Sequence, residues 1–236
     1  MAGIVWIRAR LPDELKGVAP VYKLRMWMST ALPAVVGNSA RLLMNRSDIL
    51  MLAPLATMLE VGYYGAAMKV TYLQSAPVIV LSTVITARIS EAIAAGKIRQ
   101  GKRLFFGSLA FALICSVPVA ALLSVFAEPI MTLLFGMDYA QGSQVLAILS
   151  VAQVGAAINI PVTSFMLMTG RQNTFGKMTL VALIANITGN WLLIPELGAE
   201  GAALATMISI LLLTFMQSIA CISIMLSGRY SEKEAR

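Results

Sequence analysis

The sequence predicts an all-α integral membrane protein of six transmembrane helices, and three observations carry that expectation. Of the 236 residues, 58% are hydrophobic and 12% charged, against about 25% charge in a soluble domain. The mean hydropathy is +0.81. The apolar runs are continuous over roughly 20 residues, the length that crosses a hydrocarbon core about 30 Å thick. A membrane barrel would instead show period-2 segments of about ten residues.

The elements follow in order. Residues 1–28 hold Arg8, Arg10, Lys16, Lys23 and Arg25 and read as a cytoplasmic or interfacial linking segment. Too few apolar residues precede Arg8 for a signal-peptide core, so insertion is expected to rely on the spans. Spans are expected at about 29–53, 62–89, 104–126, 144–169, 178–194 and 202–226, followed by a tail at 227–236. Pro77, Pro118 and Pro161 fall inside spans, where each removes a backbone hydrogen bond and bends its helix.

Charge sets the orientation. Fourteen of the eighteen Lys and Arg lie in segments 1–28, 90–103, 170–177 and 227–236. The alternate loops, 54–61, 127–143 and 195–201, carry no base but hold Glu60, Glu128, Asp138, Glu196 and Glu200. By the positive-inside rule both termini are cytoplasmic. An odd number of spans would mix the two sets, which supports six.

The other four bases, Arg41, Arg46, Lys69 and Arg88, fall in spans. Asn38, Arg41, Asn45 and Asp48 are spaced three, four and three apart and so share one helix face, with Arg46 beside it. Arg41 lies about 18 Å from the outer end of its span, near the middle of the core. An arginine there costs about 2.5–3.5 kcal/mol on insertion scales, so the stripe faces other helices or a water-filled cavity. Two readings stay open: Asp48 and the asparagines neutralise Arg41 within the bundle, or the excess of Arg41, Arg46 and Lys69 over the single acid marks an anionic ligand or partner. Lys69, with Tyr72 one turn on, either joins that cavity or snorkels outward. Arg88, beside Glu91, reads as an interfacial anchor.

Asn186 with Asn190, and Asn159 with Thr163, share helix faces and suit interhelical hydrogen bonding. Cys115 and Cys221 lie in apolar runs and read as small buried hydrophobes. An internal echo links Glu60-Val-Gly62-Tyr-Tyr-Gly65-Ala-Ala-Met68 with Glu196-Leu-Gly198-Ala-Glu-Gly201-Ala-Ala-Leu204; either convergent hairpin chemistry or duplication produces it.

No catalytic constellation appears. The chain has no histidine, no metal-ligand spacing and no phosphate-cradling glycine loop, so neither an enzyme nor a cofactor or metal site is expected. The bases sit in separate loops, not on one accessible face, which argues against nucleic acid.

Five stretches in order, "ALPAVVGNSARLLMNRSDILML", "LEVGYYGAAMKV", "LLFGMDYAQGSQVLAILS", "MTGRQN" and "NWLLIPELGAEGAALAT", resemble the bacterial Wzx-type polysaccharide flippases of the MATE/MOP superfamily. The similarity runs from about Ala31 to Ser209. The resemblance implies one six-helix lobe of a two-lobe transporter, here the C-terminal lobe, with residues 1–28 joining the lobes. It implies alternating access that moves an undecaprenyl-pyrophosphate-linked oligosaccharide across the bacterial inner membrane, in O-antigen, lipopolysaccharide or related polysaccharide biosynthesis. Members are about twice this length, so a first-half chain, a second copy or an upstream coding segment is expected to complete the unit. Carried onto this chain, Arg41 and Arg46, with Lys69 third, hold the pyrophosphate or acidic sugars; Asn38 and Asn45 bond sugar hydroxyls or orient Arg41; Asp48 orients the arginines. The alternatives are a cation-coupled small-molecule or drug antiporter, for which Asp48 is the membrane carboxylate, and a membrane scaffold in glycan assembly.

Overall fold

A computed structural model describes residues 22–227 and is helical almost throughout. The helices are α1 (Leu24–Leu55), α2 (Met58–Ala94), α3 (Ile98–Val125), α4 (Ala127–Phe135), a 3-10 turn (Met137–Gly142), α5 (Ser143–Met168) and α6 (Gln172–Ser227). Most of the linking segment and tail expected at 1–28 and 227–236 lies outside the described residues, and α1 begins at Leu24, inside that expected linker.

Four stretches are long and apolar enough to cross a membrane: Met58–Ala92, Arg99–Val125, Met137–Met168 and Gln172–Met225. The polar residues of α1 dilute its apolar run, which keeps it out of that set. At 1.5 Å per residue the 56 residues of α6 would reach about 84 Å, far beyond one bilayer core. The helix instead breaks at Gly198, whose φ of 54° and ψ of −130° lie outside helical space. Only glycine adopts this backbone readily. Across the break the chain doubles back, because Gly189 lies against Ala205 and Gln217 reaches Thr179. Arms 172–197 and 199–227 are therefore antiparallel, and what looks like a loop at 195–201 is one non-helical residue.

Pairing of side chains fixes the other directions. Gly37 meets Phe175 and Gly176 while Asp48 meets Asn190, so α1 runs parallel to arm 172–197. Gly155 meets Leu211 and Val162 meets Cys221, so α5 runs parallel to arm 199–227. Gln74 bonds the carbonyls of Ser116 and Ser150, and Phe105 packs on Phe165 with ring centroids 4.9 Å apart. These contacts set α2 parallel to α5 and α3 antiparallel to both. One end of the bundle thus gathers the turns near 56, 126–142 and 198, with their acids. The other gathers the starts of α1 and α6 and the α2–α3 turn, where Gly96 takes φ 68° and Lys97, Arg99, Lys102 and Arg103 follow.

The expected loop 127–143 contains α4 and the 3-10 turn. Its apolar run is too short for a span, which conceals the helix, and Pro129 stands in the first turn, where its missing N–H costs little. Met131 of α4 is buried in the core cluster at the acidic end with Leu52, Tyr64, Leu146 and Ile194. The core cluster at the basic end gathers Phe105, Phe165, Phe175 and Cys221.

The α1–α2 turn is tied to the α6 break by Glu60. Its carboxylate accepts from the Thr57 N–H at 2.8 Å and the Thr57 hydroxyl at 2.9 Å, while its own N–H donates to Thr57 Oγ1 at 3.3 Å. This reciprocal pair satisfies free donors at the start of α2. The same carboxylate lies directly against the α6 break, where a Cβ on Gly198 would collide with it. Of the two glutamates in the internal echo, Glu60 caps α2 and packs against the α6 break, and Glu196 is exposed.

Two expectations follow. Gly176 lies where α1 and α6 cross, and a Cβ there would stand 2.9 Å from the Pro33 carbonyl oxygen. Gly176→Leu should lower stability by about 1–3 kcal/mol, the usual cost of overpacking, in detergent unfolding. The backbone and hydroxyl donors of Thr57 hold Glu60 below its ordinary value of 4.5. Its stabilisation is complete above that range and drains away as pH falls through the lower folded-state value. The stability difference between the parent chain and Glu60→Gln should therefore shrink on acidification, as read by melting at a series of pH values.

Candidate functional site

A cavity of about 350 Å³ opens between α1, α2, α5 and arm 199–227. Helical spacing explains its walls. On α2 the lining residues Met68, Thr71, Tyr72, Ser75 and Ile79 recur every three or four positions, and on α1 Arg41, Met44, Asn45 and Asp48 do the same. The walls are mainly apolar, with a few polar groups converging on the space, the usual make-up of a ligand site.

Arg41 is half-buried at the cavity wall and reaches across to α5. One guanidinium nitrogen donates to Asn159 Oδ1 and another to Thr163 Oγ1 at 3.5 Å. Both acceptors are neutral. On the opposite side Gln153 donates to Ser75 at 2.5 Å.

Asp48 lies two turns further along α1 and is fully buried. Its carboxylate accepts from Thr206 at 2.7 Å, Asn190 at 2.8 Å, Tyr64 at 2.9 Å and Asn186 at 3.1 Å. Four donors suit a group that, when ionised, only accepts. Ser47 donates to the Asn186 oxygen at 2.5 Å, which turns the Asn186 amide nitrogen toward Asp48. The Asn190 oxygen is buried without a partner among the described residues.

The residues singled out from the sequence divide. Arg41, Asn45 and Asp48 line the cavity. Asn38, Arg46 and Lys69 are exposed and stand outside its wall. Arg46 is rotated about 100° from Asn45, and Lys69 about 100° from Met68; Tyr72, expected to share a face with Lys69, faces the cavity alone. Asp48 was expected to orient the arginines, but its partners are amides and hydroxyls of α2 and α6, and Asn159 and Thr163 orient Arg41 instead. Sequence reasoning missed Tyr64, Ser75, Gln153, Thr206 and Gln217. The available signal was weak: Gln153 and Gln217 are single amides within apolar runs. Among the described residues no group of three or more His, Cys, Asp or Glu is arranged to hold a metal ion.

Comparison with known proteins places this geometry. The MatE family model matches residues 33–192, more than half of the chain. The chain belongs to the MatE family. A relative in Haloferax volcanii, the probable low-salt glycan biosynthesis flippase Agl15, is 22% identical over 214 residues, 89% of this chain and 45% of that protein. The capsular polysaccharide biosynthesis protein CapF of Staphylococcus aureus is 34% identical over 109 residues, 46% of this chain and 26% of that one. A crystal structure of a MATE transporter with a proline-to-alanine substitution superposes with a TM-score of 0.78 at 13% identity, over 90% of this chain and 49% of that one. A MOP superfamily transporter from Pyrococcus furiosus, whose binding pocket is described as reversed in polarity, superposes with a TM-score of 0.68 at 17% identity, over 80% of this chain and 42% of that one. This MatE chain therefore has the fold of one lobe of the MATE/MOP transporters, and it spans about half the length of such proteins.

Removing the Asp48 carboxylate strands four buried donors. Asp48→Leu should destabilise this MatE chain by at least about 2 kcal/mol, and Asp48→Asn, which keeps one acceptor oxygen, by less, in detergent unfolding.

Proposed function

We propose that this MatE chain is one lobe of a flippase that moves an undecaprenyl-pyrophosphate-linked oligosaccharide across a bacterial inner membrane, for O-antigen or a related envelope polysaccharide. The observation that carries the proposal is Arg41: a cation in the cavity wall whose partners, Asn159 and Thr163, are neutral. Its charge remains for a ligand, and a guanidinium fits phosphate oxygens in pairs. The names of Agl15 and CapF support a glycan cargo.

In this mechanism Arg41 engages the pyrophosphate and Asn45 and Tyr72 bond the adjoining sugar. Arg46 and Lys69, exposed beside the cavity, contribute charge to the space that a second lobe or second copy encloses. The basic turns lie on the cytoplasmic side with both termini, following the positive-inside rule. The lobes rock about the site, which opens first to the cytoplasmic leaflet and then to the outer one. Binding and translocation suffice, and no bond is made or broken.

A second reading is a cation-coupled antiporter of the same superfamily. One observation favours it: Asp48 is a buried carboxylate beside the unpartnered Asn190 oxygen, and membrane carboxylates serve proton and ion relays.

The experiment restores a complementary lobe and measures glycan export in a flippase-deficient strain. Arg41→Ala should reduce export about 10- to 100-fold, the worth of a charge-assisted contact, and Arg41→Lys should retain part of it. Normal export from Arg41→Ala removes the site. Drug resistance lost in Asp48→Asn, with export intact, selects the antiporter.

A further inference from the structure

Arg41 is held by a chain of hydrogen bonds whose direction is fixed far from the cavity. Thr179, in arm 172–197, donates its hydroxyl to the Phe175 carbonyl at 2.8 Å. A carbonyl can only accept, so the Thr179 hydroxyl has spent its single proton and must accept from its next neighbour. That neighbour is the amide nitrogen of Gln217, at 3.5 Å. With its nitrogen turned to Thr179, Gln217 presents its oxygen to Asn159, whose amide nitrogen donates to it at 3.0 Å. Asn159 then has only its oxygen to offer Arg41, which donates to it. Thr163 bridges the last two links, within 3.0 Å of the Asn159 oxygen and 3.1 Å of the Gln217 oxygen.

Every member behind Arg41 is buried: Thr179 and Gln217 fully, Asn159 to 1% exposure and Thr163 to 7%. No member carries charge. Asp48, the acid on the same face of α1, is occupied about 10 Å further along the helix. An amide chosen at random presents nitrogen as readily as oxygen, and a nitrogen facing a guanidinium would repel it. The polarity of this chain removes that choice.

We propose that Thr179, Gln217 and Asn159 form a polarised relay that positions Arg41 while leaving its charge uncompensated. Asn159 is the positioning residue, and the Phe175 carbonyl, three links back, sets the direction. The relay ties the cavity cation to both arms of α6. This proposal deepens the anionic-ligand reading above and rests on it for the purpose of the unspent charge; the positioning itself does not depend on that reading.

The test uses the full chain in lipid nanodiscs, with inorganic pyrophosphate as the probe. Rotation of the Arg41 guanidinium, read by nitrogen NMR, reports positioning without any ligand. It should be restrained in the parent chain and free in Asn159→Ala. Thr179→Val, remote from the cavity, should loosen the guanidinium and weaken pyrophosphate binding, and Thr179→Ser, which keeps the hydroxyl, should restore both. Asn159→Asp keeps an acceptor but neutralises the cation, so the guanidinium should stay restrained while pyrophosphate binding falls about tenfold or more. Melting of each variant confirms that it is folded. Free rotation of Arg41 in the parent chain overturns the relay, as does an Asn159→Asp variant that binds pyrophosphate as well as the parent. A restrained Arg41 in a parent chain that does not bind pyrophosphate removes the anionic-ligand reading and leaves the positioning intact.

Discussion

Asp48 is the interaction around which the bundle closes. A carboxylate buried between helices in lipid has no water to turn to, so its oxygens must be satisfied by the protein. The donors come from Tyr64 on α2, Asn186 and Asn190 on one arm of α6, and Thr206 on the other. One side chain of α1 thus fixes the rotation of three other helical segments about their axes. Once those are set, Gly37 and Gly176 come face to face at the α1–α6 crossing, and Met44 falls among Ala182 and Leu213. The cavity is the space left beyond this cluster, and its position on α1 follows from the Asp48 anchor.

The break at Gly198 makes that cluster possible. Asn186, Asn190 and Thr206 belong to one helix by hydrogen-bonding pattern, yet they converge on Asp48 only because the chain reverses between them. Gly198 supplies the backbone conformation, and its missing Cβ leaves room for the Glu60 carboxylate against the break. Because Glu60 also caps α2, the turns before α2 and before the second arm share one carboxylate. The end that gathers the acids is therefore tied by polar contacts of an exposed turn, and the middle by buried polar contacts. The end that gathers the bases relies on aromatic packing, with Phe105, Phe165 and Phe175 in one cluster.

Much of the fold was legible because lipid imposes simple rules on a chain. Continuous apolar runs marked the helices, and the partition of acids and bases separated the two sets of turns without knowledge of packing. The helix α4 was not legible: nine residues are too few to signal a span, and its apolar face covers the core at the acidic end of the bundle. At the site, the spacing of Asn38, Arg41, Asn45 and Asp48 predicted one face because periodicity is a property of one helix, and of these four Arg41, Asn45 and Asp48 line the cavity while Asn38 stands outside it. Lys69 and Arg46 show where that logic stops. Each lies one residue from a cavity-lining position, and one residue is about 100° of rotation. Which side of that arc faces a neighbour depends on how helices cross, and no single helix encodes it. Gln217 and Tyr64 were invisible for a related reason: their importance is a matter of partners distant in sequence.

The two polar clusters on α1 answer the same problem in opposite ways. Asp48 is surrounded by donors and turned into a structural post, closed to further partners on most sides. Arg41 is given acceptors without charge, so its electrostatic field is redirected and not cancelled. In a medium of low dielectric constant the difference is large, because an ion pair between the two would have extinguished both. Their separation of about two helical turns prevents that pairing, and the intervening Met44 and Ser47 face the arms of α6. Asp48 thus holds the bundle together while Arg41 meets only uncharged partners among the described residues, which is the charge arrangement a cavity needs if its cargo is an anion.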